Sequence, residues 1–172
     1  MSLDLHQLTG EVRDFMVSEI EDDIRRRNLY ISPRLTNIGR SQWTNMLLDA
    51  AEHGDEDTLA HALSSPQYMV TWGNRPNAQG KPVGASAAET LAEGEFNRYY
   101  IRAICLVALE HDIPFVTVYR AKRAWSPRPG SDRMLGSRID PDALLHDLRT
   151  NVGRETHYGV PNGPNSGLSV EF

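Results

Sequence analysis

Residues 86–110 read SAAETLAEGEFNRYYIRAICLVALE. Within them Phe96, Tyr100, Ala103, Ile104, Val107 and Ala108 recur at spacings of three and four, which lays them along one stripe of a helix. Ser86-Ala87-Ala88-Glu89 has the S-x-x-E form of a capping box and marks the expected helix start. This long apolar helix is the core candidate against which the rest of the chain must pack.

Downstream, Pro114-Phe115-Val116-Thr117-Val118-Tyr119 is rich in β-branched and aromatic residues and predicts a strand. Asp140-Pro141 pairs an N-cap residue with proline at the first helical position, opening a last helix through Arg149. From Gly153 the chain is dense in Gly, Pro and Asn. It closes on Leu168, Val170 and Phe172 alternating with polar residues, as a short strand would. Such a strand either docks on the body or adds to the sheet edge of a neighbour.

Upstream, Leu8, Val12, Phe15, Met16, Ile20 and Ile24 predict an amphipathic helix over 8–27, with Arg25, Arg26 and Arg27 complementing its dipole. Ser41 is the expected cap of a second helix that Gly54 stops, and Asp55 starts a short third one ending at Ser64-Ser65-Pro66. Residues 67–73 are expected to form a short strand. The reading is α+β: a mostly helical single domain over 1–152 with a small mixed β-sheet, and an extended C-terminal tail over 153–172.

With 172 residues, 40% apolar and 24% charged, the chain can bury one core and is not a disordered polymer. One cysteine excludes an intrachain disulfide and a thiolate zinc cluster. Neither a membrane span nor a signal peptide is evident, so a cytoplasmic location, or a particle assembled there, is expected. The net charge of −5 is unevenly spread, because Arg120, Lys122, Arg123, Arg128, Arg133 and Arg138 face only Asp132 within residues 119–138. A basic island on an acidic body calls for an anionic partner or the acidic face of another copy.

Candidate chemistries are weak by comparison. Gly73 to Pro82 fits a phosphate loop badly, with six intervening residues and Pro82 in place of Ser or Thr. Lys122, Glu93 and Glu95 are the residue types of a metal nuclease or phosphoryl-transfer site. However, Arg120 stands where an acid is needed, and two glutamates two apart on a helix point in different directions. The histidines lack ligand spacing, and His53 and His111 fall at helix C-termini, where the dipole explains them. Cys105 lies inside an apolar run. No catalytic residue, metal or cofactor is therefore assigned.

Two segments remain. Arg98 and Arg102 share a helix face with Glu95 and can either clamp an anion or pair with acids of the first helix. Tyr119, Arg120, Lys122, Arg123, Trp125, Arg128, Arg133 and Arg138 mix cations with aromatics, which suits a protein interface or, as the alternative, a nucleic-acid backbone. The expectation is a non-enzymatic structural or interaction protein, a subunit or adaptor of a larger assembly such as a phage or prophage particle. Its partner is another protein or copies of itself. Leu168, Val170 and Phe172 are the expected docking residues of the tail.

Overall fold

The computed structural model describes residues 2–70, 83–122, 129–161 and 167–172. In chain order these contain α1 (Gly10–Arg25), α2 (Asn37–His53), α3 (Glu56–Leu63), α4 (Val83–Glu110), β1 (Val116–Arg120), α5 (Pro129–Met134), β2 (Arg138–Ile139), α6 (Pro141–Thr150) and β3 (Leu168–Glu171). The α+β class holds. The sheet is small as expected, but among the described residues it is antiparallel and not mixed, in the order β2-β1-β3.

Helix α4 is the axis of the core, with α1, α3 and α6 packed around it and β3 beside it. The expected apolar stripe is only part of its buried surface. From Glu95 to Ala108 every residue except the half-buried Leu106 is buried, including Glu95, Asn97, Arg98 and Arg102. Polar residues at these positions must therefore find partners inside the protein.

Local signals set several helix ends as read. The Asp55 carboxylate accepts from Thr58 N at 2.8 Å, and that of Asp140 accepts from Ala143 N at 2.9 Å ahead of Pro141. Two starts differ. Helix α4 begins at Val83, so Ser86 lies inside it. Helix α2 begins at Asn37, capped by Thr36, while the Ser41 hydroxyl donates back to Ile38 O. The cap moves because Thr36 is held from outside the helix: its hydroxyl donates to Gln67 O at 2.5 Å and its N–H to Tyr68 O at 2.9 Å. The strand expected over 67–73 reduces to one bridge between Met69 and Leu35, with residues 71–73 outside the described ones.

The C-terminal strand pairs with β1 of its own chain. Its Leu168 and Val170 are fully buried against β1, whereas Phe172 is 41% exposed. Residues 153–161 also lie on the body: the Asp147 carboxylate accepts from His157 N and Tyr158 N, both at 2.9 Å, and Val160 is fully buried. The segment from Leu3 to Gln7 crosses to the same sheet. Asp4 N donates to Ala121 O at 2.7 Å, and the Gln7 amide exchanges two bonds with the backbone of Phe172.

At Gly39 the first turn of α2 presses on the carbonyl of Tyr68, where a Cβ would clash with backbone that has no free rotamer to yield. Gly39→Ala is expected to cost about 1–3 kcal/mol by overpacking, read as a lower urea midpoint with an unchanged slope. An unchanged midpoint would show that the turn at 65–69 shifts freely.

Candidate functional site

Among the described residues, charged side chains gather inside the helical layer and on the sheet. The inner group is centred on Arg102, which is fully buried. Its Nε donates to Glu19 Oε2 at 2.6 Å and its Nη1 to Asp23 Oδ2 at 2.5 Å, both on α1. Tyr99 donates its hydroxyl to Asp23 Oδ2 at 2.8 Å, and its ring lies 4.9 Å from the Arg102 guanidinium carbon. From α6, Arg149 reaches Glu19 Oε1 at 2.5 Å. Two carboxylates and two guanidinium groups thus join α1, α4 and α6 with no net charge. Burial pulls the Arg102 pKa down, but hydrogen bonding to Asp23 and the charges of Glu19 and Asp23 outweigh it and raise it. Burial, and then the Asp23 charge, push the Tyr99 phenol well up.

Arg102 is therefore a packing residue with no access for an external anion. Arg98 is buried one turn earlier. Its Nη1 donates to Asn151 O at 3.1 Å, at the end of α6, while its Nε lies 3.8 Å from Glu95 Oε1 and makes no hydrogen bond. Glu95, 6% exposed, is the least well satisfied carboxyl of this region. Burial pushes it up to about 7, and Arg98 and Arg102 offset this only in part.

The sheet carries the other group. Lys122 pairs with Glu93 of α4, so two residues of the metal-site reading do meet. Burial raises the Glu93 carboxyl, against the pull of Lys122, and nearby Glu56 raises it further. Glu56 itself accepts from Leu3 N and from the Ser2 hydroxyl. Glu95 lies apart, beside Arg98. Among the described residues no three His, Cys, Asp or Glu side chains converge as a metal site would require. Cys105 is fully buried, and burial drives its thiol far above the ordinary range.

The basic stretch is not one continuous loop. It contains α5 and β2, and two of its four described cations are neutralised: Arg120 Nη2 pairs with Asp132 at 2.5 Å and Lys122 with Glu93. Arg133 and Arg138 stay exposed, the latter with its guanidinium carbon 5.0 Å from the Phe115 ring centre. Tyr119 donates its hydroxyl to Asp4 O at 2.7 Å and stacks on His6 with ring centres 4.4 Å apart. Arg123, Trp125, Arg128 and the Gly73–Pro82 stretch lie outside the described residues.

Sequence reasoning did not single out Glu19, Asp23 and Arg149 as the specific partners of Arg102, nor Phe115, His6 and Glu171 on the sheet. Only the alternation along β1 carried a signal for Phe115: it sets residue 115 on the face opposite Val116 and Val118. No protein-family model, curated protein or solved structure matches this chain.

Arg102→Met is expected to cost about 3–5 kcal/mol, because it strands Asp23 and half of Glu19 without a cation in the core; chemical denaturation measures it, and a loss under about 1 kcal/mol would contradict the network. Glu95 supplies a pH test. Its folded-state pKa stands above its ordinary 4.5, so folding favours the protonated form. The contribution is fully present below pH 4.5 and is lost as pH rises through about 7. Glu95→Gln should thus be more stable than the wild type by on the order of 3 kcal/mol at pH 8, with the gap closing toward pH 4.5. Parallel stability curves for the two proteins would refute this.

Proposed function

We propose that this protein is a non-enzymatic structural subunit or adaptor of a larger assembly, a phage or prophage particle being one such assembly, and that it binds protein. The observation that carries the reading is the division of its charges. Glu19, Asp23, Arg102 and Arg149 of the helical layer satisfy one another, and the described part of the basic stretch gives up Arg120 and Lys122 to Asp132 and Glu93. Arg133, Leu135, Arg138 and Phe115 stand outward around β2, beside the exposed carboxylates of Asp132 and Asp140. Arginine and aromatic side chains are the usual anchors of protein interfaces. A nucleic-acid backbone, by contrast, needs several unpaired cations in a row.

The reading also agrees with the way the polypeptide is fastened. His6 Nδ1 sits 2.7 Å from Glu171 Oε2, and the Gln7 amide holds Phe172, so the segments at both ends of the sequence lie against one sheet. Such a body presents fixed surfaces to a partner, as a repeated building block requires. No helix among the described residues is long and apolar enough to cross a membrane.

The test is the mass of the purified protein by light scattering after size exclusion, at low and high salt, beside a titration with DNA and RNA. An oligomer that persists at both salts and ignores nucleic acid is expected. A monomer that binds DNA or RNA with an affinity falling steeply as salt rises would overturn the reading.

A further inference from the structure

Residues directly opposite one another in a sheet share a face. Thr117 stands opposite Arg138 on β2 and opposite Glu171 on β3, so Arg138, Thr117 and Glu171 form one row across the three strands. Phe115, two residues before Thr117, projects on the same side, while Val116 and Val118 point into the core. At its other end this outer face is covered by the strap carrying Asp4 and His6, through the stack of His6 on Tyr119. Among the described residues no such strap covers the half around Phe115. Phe115 is 43% exposed, Arg138 is exposed over its ring, and the Glu171 side chain is 37% exposed although it bonds to His6.

This open half is self-complementary in charge. Arg138 lies on one side of the central strand and Glu171 on the other, with Thr117 between them and the Phe115 ring two residues along on the same face, under the Arg138 guanidinium. A twofold axis running along β1 between two facing sheets sets Phe115 against Phe115. It also sets each Arg138 against the second copy's Glu171. We infer that the outer face of the sheet, centred on Phe115, Arg138 and Glu171, is a docking surface for a second copy of this chain. The pairing is isologous, as closed dimers require. The basic edge and the acidic edge thereby answer each other between two copies, and no foreign anion is needed. This inference rests on the assembly reading and supplies it with a surface and a partner.

The closing experiment uses full-length protein, with light scattering and sedimentation across a concentration series. The wild type should form a dimer. Phe115→Ala and Arg138→Glu should each weaken dimerisation by about tenfold or more. Glu171→Arg should do the same, and the double variant R138E/E171R should recover the dimer, because reversing both charges restores the match across the twofold axis. Near-ultraviolet circular dichroism confirms that each variant keeps its tertiary fold. If Glu171→Arg loosens the strap through His6, Phe115→Ala and Arg138→Glu still decide the outcome, since neither residue bonds to the strap. An oligomer whose mass ignores both of these variants would remove this face while leaving the assembly reading in place. A wild type that stays monomeric at every concentration would remove self-docking, and a double variant that stays dissociated while its near-ultraviolet spectrum matches the wild type would overturn the Arg138–Glu171 pairing.

Discussion

A guanidinium group buried at the centre of a helical layer is tolerable only if its charge and its donors are all met, and Arg102 imposes that condition on three helices at once. Glu19 and Asp23 must lie one turn apart on α1, and Arg149 must arrive from α6 to balance the second carboxylate. Apolar contacts alone would let α1 slide or rotate along α4 at modest cost. The bonds from Nε and Nη1 allow one register, because desolvated carboxylates left without a cation cost several kcal/mol. Glu95 and Arg98 are the less comfortable part of this arrangement. Their 3.8 Å separation leaves a buried carboxyl that folding prefers protonated.

The sheet depends on a different kind of closure. Three short strands would be marginal by themselves. Here the central strand is packed by Val116 and Val118 on one side and strapped by Asp4, His6 and Tyr119 on the other. The fold is thereby completed by segments distant in sequence, 165 residues apart in the case of His6 and Glu171.

This contrast explains what was legible before the structure. Caps whose partners lie within three residues, Asp55 and Asp140, could be read directly, as could the helices from their period and β1 from its β-branched run. The Thr36 cap could not, since a carbonyl at residue 67 and another at 68 decide it. Helix α5 and strand β2 were hidden because a run of Arg, Pro and Gly reads as loop whatever neighbouring β1 makes of it. For the site, the arginine pair at 98 and 102 was recognisable as needing partners. Their identity was not, because Glu19 and Asp23 are spaced like ordinary exposed acids of an amphipathic helix. The neutralised state of Arg120 and Lys122 was equally invisible, as net charge over a window says nothing about who faces whom.

In β3 alternate residues turn their backbone groups away from β1, and these groups are where a fourth strand would attach. Two side-chain amides take that place. Asn97 donates to Leu168 O at 2.8 Å, and Gln7 both donates to and accepts from the backbone of Phe172. An amide offers the same donor and acceptor as a peptide unit but cannot be extended, so growth of the sheet stops there. The opposite margin, β2, is two residues long and too short to template a strand. Both margins of the sheet are therefore poor templates for edge-to-edge pairing with another strand.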